Sequence, residues 1–485
     1  MTDAPNRINR KIESIEQSNN RINRTIESIE SIESIEQSEQ SNNRINRTIE
    51  SIEQSNNRKI EQLKNRLWRQ ILANFLSLGL LKATDAVVLI LLIPYIVGKV
   101  GIVNYGMLAF VTVFLNAGKT LVDYGFQISG VRLVALARER SGQLSALFWN
   151  ILYARLALCL AFTLAVGIAV QFIPYLKARE WVFYPGFLLP LGHVLFADWF
   201  FIAVQKARVI AWANLGVKVL YGLLVLAVIR KPEDFILIPA LQGLAGLAAG
   251  VWIVFAAARQ YELTWTPPDS RRILGFIRSD FRLFLSNLSV EFNTSYSILM
   301  LNLLTTDSLT GYFQVMNKLA QPLRFLLVIF SQAIFPVVCR KAAEGWSAAV
   351  HFLKRAYLFF CGPALGAILL TVIFAQPLLS VFAGRSDAFL VDNFRLYLIV
   401  PVLVLLNVPA TQLLLAYERK TAYTAVFLSA MAVKILSDYL MIRYWGLRGL
   451  VLSCLMVEAW TLLGLWLASI LGNNRMAKSG QALKV

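Results

Sequence analysis

Histidine is almost missing from this 485-residue chain: His193 and His351 are the only two, and they lie far apart. The four cysteines, Cys159, Cys339, Cys361 and Cys454, are scattered, with no CxxC and no histidine nearby in sequence. Neither a metal cage nor a disulfide framework is indicated, and the cysteines read as packing residues. No metal site, cofactor or catalytic residue is therefore expected, and a lone buried His193 or His351 is at most a weak proton-relay candidate. Charge is scarce as well. Only 16% of residues are charged against 57% hydrophobic, with a mean hydropathy of +0.58, which excludes an ordinary soluble domain over most of the length. Long connections between apolar segments are also lacking. The longest, residues 258–282, has no DxD motif and no room for a catalytic domain, which argues against a membrane glycosyltransferase or polymerase.

What is present is a succession of apolar segments of roughly 20 residues or more, enough for an α-helix to cross a hydrocarbon core about 30 Å thick. No alternating dyad pattern competes with this, so an all-α polytopic membrane fold is expected rather than a barrel. The predicted spans are 71–97, 105–128, 147–171, 181–203, 210–229, 235–257, 283–304, 312–338, 356–379, 389–416, 421–442 and 446–471. Twelve spans put both termini on one side. From Arg58 onward the flanks and connections on that side hold 24 Lys and Arg against nine on the other, so the positive-inside bias places both termini in the cytoplasm. The implied organisation is a polar extension 1–66, a six-helix bundle 67–257, a cytoplasmic linker 258–282, a second six-helix bundle 283–471 and a basic tail 472–485.

A net charge of +18 raises the question of nucleic acid, but residues 1–66 carry eleven basic and eleven acidic residues. The excess belongs to the membrane body, where the positive-inside bias accounts for most of it, and no nucleic-acid partner is expected. The extension itself repeats a 14-residue phrase, NRINRKIESIEQSN at Asn6, with related copies at Asn20 and Asn43. Ile8, Ile12, Ile15, Ile22, Ile26 and Ile29 follow 3-and-4 spacing, with Asn19 at the missing core position, as in a coiled coil. Nine inserted residues before the third copy are not a multiple of seven, so the stripe slips round the helix and a continuous coiled coil is not expected. A tandem expansion giving a dispensable helix outweighs a docking role. No charged start followed by an apolar stretch precedes Leu67, so the first transmembrane helix is expected to act as the insertion signal.

Seven basic residues fall inside the predicted spans: Lys82, Lys119, Arg155, Lys218, Lys318, Arg324 and Lys434. Each costs about 2.5 to 3.5 kcal/mol at a helix centre if exposed to lipid, so each must snorkel, pair or face a cavity. Lys82 with Asp85, Lys119 with Asp123, and Lys434 with Asp438 stand at i+3 or i+4 and can neutralise themselves on one helical face. Arg155, in the cytoplasmic third of its helix, is expected to snorkel. On the second span Asn116, Lys119, Asp123 and Gln127 share an arc of roughly 80°, and on the eighth Gln314, Lys318, Gln321 and Arg324 share roughly 120°. Such stripes need water or ligand beside them. Lys218 has no carboxylate a turn away on its own helix. Counter-charge is available from Glu291, which shares a face with Asn287 and Thr294, and from Asp198 and Glu458. The clustering of Lys119, Lys218, Lys318 and Arg324 points to an anionic substrate such as a lipid pyrophosphate, held by charge-assisted hydrogen bonds. Asp123, Glu291 and Asp198 are the candidate ion-coupling carboxylates. Ten prolines inside the spans permit bending.

Residues 101–136, GIVNYGMLAFVTVFLNAGKTLVDYGFQISGVRLVAL, carry YG, an apolar helix, DYGF and then SG-x-R. The later TGYFQVMNKLAQPLRFLL at 310–327, followed by FPVV at 335–338, restates the start of that pattern, and Asp198-Trp199-Phe200-Phe201 supplies a further segment. Over residues 68–471 the chain resembles the polysaccharide flippases of bacterial O-antigen and capsule assembly, the Wzx-like branch of the multidrug/oligosaccharidyl-lipid/polysaccharide exporter superfamily. The resemblance implies two pseudo-symmetric six-helix bundles around a central cavity. It also implies alternating-access transport of an undecaprenyl-pyrophosphate-linked oligosaccharide across the inner membrane, among membrane lipids and beside a polysaccharide polymerase and glycosyltransferases. The alternative within the superfamily is a cation-coupled multidrug exporter, for which an unpaired carboxylate in an apolar cavity would speak.

Overall fold

The computed structural model describes residues 18–21, 91–137 and 141–479. The chain divides into two compact units, Met1–Leu72 and Ala73–Val485. Of the first, only residues 18–21 are described, as exposed helix. Most of the repeat, the Lys82–Asp85 pair and most of the first predicted span lie outside the described residues.

The second unit is built of helices, with no strand among the described residues. In chain order they are α1 (Leu91–Val100), α2 (Ile102–Asp123), α3 (Ser129–Ala137), α4 (Ser141–Phe172), α5 (Glu180–Gly186), α6 (Leu188–Val194), α7 (Asp198–Ala203), α8 (Ala207–Val228) and α9 (Ile238–Gln260). There follow α10 (Ser270–Leu304), α11 (Asp307–Glu344), α12 (Trp346–Ile373), α13 (Ala375–Ala383), α14 (Ala388–Tyr397), α15 (Ile399–Ala416) and α16 (Lys420–Ser479). Among the described residues nine stretches are long and apolar enough to cross a membrane. One of these, Lys420–Leu471, contains two predicted spans, joined at Gly446, whose φ of 55° breaks the helix.

Several boundaries differ from the sequence expectation. The fourth predicted span is three short helices, α5 to α7, with Pro185 inside α5 and Pro190 inside α6. The tenth is split at Leu398, ahead of Pro401, and α10 begins at Ser270 rather than 283. Hydropathy sees the apolar length of such segments but not the missing proline N–H groups, and it places the polar turns 270–282 outside the membrane, where helix can still form.

The apolar surface is inverted relative to a water-soluble bundle. On α4, Leu160, Leu164, Ile168 and Phe172 repeat every four residues and are 50 to 81% exposed, a stripe suited to lipid chains. With lipid outside, hydrophobic burial gives little drive for helices to associate, and close packing of small residues takes its place. The decisive instance joins the two halves. A Cβ on Gly106 of α2 would lie 1.7 Å from the Asp307 carbonyl oxygen and 2.8 Å from the Gly311 amide, and one on Gly311 would lie 2.2 Å from the Ile102 carbonyl. Only glycine lets these backbones touch, and these are the glycines of the YG and GY pairs.

Beside this crossing sits a polar latch. Arg179 Nη2 donates to Asp307 at 3.1 Å, its guanidinium lies 4.0 Å from the centre of the Tyr175 ring, and Tyr175 Oη donates to Asn302 Oδ1 at 2.7 Å. Asn302 Nδ2 donates to Asp307 Oδ1 at 2.8 Å, closing the network between 175–179 and 302–307. The expected outcome of Gly106→Val or Gly311→Val is loss of the monodisperse protein peak in detergent, read by fluorescence size-exclusion chromatography. Val at Gly98, where nothing lies within 4 Å, leaves the peak intact.

Candidate functional site

The first-half site begins where α2 ends. Tyr124 takes a left-handed conformation (φ 46°) and Gly125 follows at φ 120°, so the DYG sequence stops the helix and leaves Asp123 at its last turn. Phe126 is buried, and the Tyr124 ring stacks on Phe284 at 4.7 Å. Asp123 does not form an ion pair with Lys119, as i+4 spacing predicts. Its Oδ1 instead accepts from Arg155 Nη2 at 2.9 Å, and its carboxylate lies 3.0 Å from His193 Nε2.

Arg155 is therefore no snorkeller: its side chain is 0% exposed. Two more of its hydrogen bonds go to the carbonyls of His193 (2.8 Å) and Phe196 (2.9 Å). The chain breaks between α6 and α7, where the His193 carbonyl keeps a turn bond from the Phe196 amide at 3.2 Å, and the guanidinium fork binds both carbonyls together with Asp123. Position along a helix could not show this, because the partners come from a break 40 residues downstream.

Taking Asp123 away from Lys119 has a consequence. Among the described residues Lys119 makes neither a hydrogen bond nor an ion pair, and it lines a cavity of about 230 Å³ with Lys218, His193, Asn214, Gln242 and Tyr221. Two predicted cations thus share one space, although Lys218 also has a partner of its own.

The second-half counterpart is on α11. Lys318 has no hydrogen bond or ion pair among the described residues, while the buried Gln314 Oε1 on the same stripe has no partner. Arg324 Nη2 donates to the Asn317 carbonyl at 3.2 Å and to Asn317 Oδ1, and its guanidinium lies 5.8 Å from the Tyr397 ring centre. Lys119 lies thirteen residues beyond Gly106, and Arg324 thirteen beyond Gly311. At 1.5 Å rise per residue the two cations stand about 20 Å along their helices from the one crossing.

Lys434 forms its predicted pair with Asp438, at 3.5 Å, and also donates to Ser297 Oγ at 2.6 Å. Asp438 is fully buried and accepts from Ser297 at 2.7 Å and from Ser453, so this knot ties α10 to both parts of α16 and reads as structural. Of the other candidate carboxylates, Glu291 accepts from Ser295 Oγ on its own helix at 2.8 Å. Asp198 accepts from Gln127 Nε2 at 2.7 Å and from the Trp199 amide at 2.9 Å, holding the first turn of α7. These two sit in separate local contacts. Glu458 lines a second cavity, of about 240 Å³, with Asn407, whose Nδ2 donates to it at 3.0 Å. Among the described residues Glu458 has no ion pair. Sequence reasoning gave little weight to His193 and did not single out Asn407. Each is a lone polar residue in an apolar run, LLPLGHV and VLVLLNVP, which is itself a flag inside a membrane.

A multi-pass helical body with two lysines, Lys119 and Lys218, lining one cavity defines the class: a membrane transporter. The chain matches the profile of the polysaccharide biosynthesis protein family over residues 71–341, more than half its length. It belongs to that family. It is 20% identical over 390 residues to a Shigella dysenteriae protein described as an O-antigen transporter, covering 79% of this chain and 96% of that one. A protein of Escherichia coli K12 with the same description is 19% identical over 371 residues, covering 75% and 88%. Among solved structures, an inward-facing multidrug-resistance MATE family transporter of the MOP superfamily superposes with a TM-score of 0.55 at 13% identity, covering 81% of this chain and 98% of that one. A eukaryotic MATE transporter gives 0.53 at 13%, covering 86% and 98%. These likenesses show the fold.

Removing one partner of a buried ion pair costs about 3 to 5 kcal/mol. Arg155→Ala is accordingly expected to lower the apparent melting temperature in detergent markedly, whereas Lys119→Ala leaves it unchanged. Equal effects of the two variants would contradict the assignment of Asp123 to Arg155.

Proposed function

We propose that this chain is a flippase that carries an undecaprenyl-pyrophosphate-linked oligosaccharide from the cytoplasmic to the outer leaflet of the inner membrane. The observation that carries the reading is that Lys119 lines a cavity with no ion pair among the described residues, with Lys318 and Arg324 on the polar stripe of α11 and Arg324 as the counterpart of Lys119. A diphosphate is the membrane-borne group whose charge and acceptor oxygens match such a set. Lys119, Lys218, Lys318 and Arg324 bind it, and with Lys318 about 9 Å along α11 from Arg324 it moves between weak sites. Of the candidate carboxylates Asp123, Glu291 and Asp198, Asp123 stays committed to Arg155, and Glu291 and Asp198, which form no ion pair among the described residues, take up a cation or proton in the return step.

The two bundles, 67–257 and 283–471, rock about the Gly106–Gly311 crossing. With both termini cytoplasmic, the connections holding Arg179 and Asp307 lie on the outer side. The latch between them then closes the outer mouth and leaves the cationic surfaces approachable from the cytoplasm. Polysaccharide polymerase and glycosyltransferases are the partners such a role requires.

One observation favours the alternative, a cation-coupled drug exporter: Glu458 lies in a cavity without an ion pair. Drug resistance conferred on an exporter-deficient host, without restored surface polysaccharide in a flippase-deficient one, would establish that reading. On the flippase reading, Lys318→Ala combined with Arg324→Ala abolishes polymer export at normal protein levels. Hydrogen bonds to charged groups contribute about 1.5 to 3 kcal/mol each, roughly tenfold to a hundredfold in affinity. Asp307→Ala is expected to raise labelling of cysteines placed in the outer half of the interior by an impermeant maleimide. The exchange Arg179→Asp with Asp307→Arg restores protection.

A further inference from the structure

The cavity around Glu458 is built differently from the cationic surfaces. Asn293 of α10, Asn407 and Thr411 of α15, and Phe427, Glu458 and Thr461 of α16 line it. Beside aliphatic Val404, Val408, Ala430 and Val457 it offers one carboxylate, two amides, one aromatic ring and two hydroxyls, of which Thr461 Oγ1 already donates to the Val457 carbonyl at 2.8 Å. Asn407 is 94% buried, and its Nδ2 is spent on Glu458, yet its Oδ1 has no hydrogen-bond partner. A buried, orphaned acceptor is costly unless a ligand supplies the missing donor. With the carboxylate beside it, the site asks for a ligand rich in O–H or N–H donors.

That chemistry sorts the candidates. A diphosphate has no donors at neutral pH and would be repelled by Glu458. A bare metal ion needs far less space, since about 240 Å³ corresponds to roughly eight waters at about 30 Å³ each. A hydrophobic cation would suit the carboxylate and the aliphatic wall but would leave the buried Asn407 Oδ1 acceptor unmatched. A pyranose ring presents hydroxyl donors and acceptors around its edge and C–H faces that pack on an aromatic ring such as Phe427. Arg324, a residue of the cationic set, is near enough to act on the Glu458 carboxylate through space. A headgroup held by Arg324 would therefore have its first sugars beside this cavity.

We propose that the cavity formed by Asn293, Asn407, Thr411, Glu458 and Thr461 is a sugar subsite that binds the carbohydrate proximal to the pyrophosphate. The proposal rests on the flippase reading and names the part of the substrate that this half of the protein recognises. It makes the second bundle responsible for selecting glycosylated lipid over bare lipid pyrophosphate.

The test uses purified full-length protein in liposomes with two probes: a fluorescently tagged polyprenyl pyrophosphate, and the same lipid bearing one hexose, with translocation read by dithionite quenching. Wild type is expected to move the hexosyl lipid faster. Asn407→Leu, and independently Glu458→Gln with the near-isosteric Thr461→Val, should slow the hexosyl lipid tenfold or more and leave the bare lipid unchanged. Equal slowing of both lipids would mark the site as coupling or structural and overturn the proposal, as would no change in either. If wild type moves neither lipid the flippase reading falls, and the subsite is then judged by methyl glycoside binding to the purified protein, measured by isothermal titration calorimetry. Saturable binding that Asn407→Leu abolishes supports a sugar site. Its absence in wild type overturns one.

Discussion

The backbone contact between Gly106 and Gly311 is the constraint on which the rest of the structure depends. Both residues are buried, and a side chain on either would strike main-chain atoms of the facing helix, so α2 and α11 are held in register at one point. From that point each helix carries a polar stripe into its own half, and equal spacing brings Lys119 and Arg324 to matching heights. A pivot formed by two backbones is also short of side-chain interdigitation, which suits a joint that must turn without being repacked. The latch of Arg179, Asp307, Tyr175 and Asn302 lies next to this pivot, where a small rotation would break several polar contacts together.

The second organising effect is competition for counter-charge. Asp123 has three basic neighbours, and the buried Arg155 and half-buried His193 take it, because a guanidinium at zero exposure cannot be left without a carboxylate. Lys119, on the cavity wall, can reach water or ligand and tolerates the loss. Asp438 resolves the same competition in the other half by accepting from two serines and pairing with Lys434. Charges that must be satisfied by the protein are thereby separated from those left for a ligand, and the second group is small.

Much of this was legible in the sequence. The all-α membrane architecture and the two polar stripes followed from apolar length and helical periodicity, because those depend on spacing along a single chain segment, while the YG/GY correspondence came from the family resemblance. The Lys434–Asp438 pair, one turn apart, was legible for the same reason. What escaped was everything requiring two distant segments. Arg155 was read as snorkelling since its partners, the Asp123 carboxylate and the carbonyls of His193 and Phe196, come from other helices and from a break that hydropathy smooths over. The Lys119–Asp123 pair was expected from i+4 spacing, which shows only that two groups can meet. Asn407 was overlooked because one amide in a leucine and valine run barely alters the apolar average, although that isolation is what makes it informative.

The central claim is that cations left unpaired at Lys119 and Lys318, together with Arg324, recognise a lipid-borne diphosphate. The most direct measurement is the affinity of detergent-purified protein for polyprenyl pyrophosphate relative to the uncharged polyprenol, in wild type and in the charge-neutral triple variant Lys119→Gln, Lys318→Gln, Arg324→Gln. A preference of about a hundredfold or more in wild type that disappears in a variant of unchanged melting temperature is the predicted result. An equal preference in both proteins would contradict it.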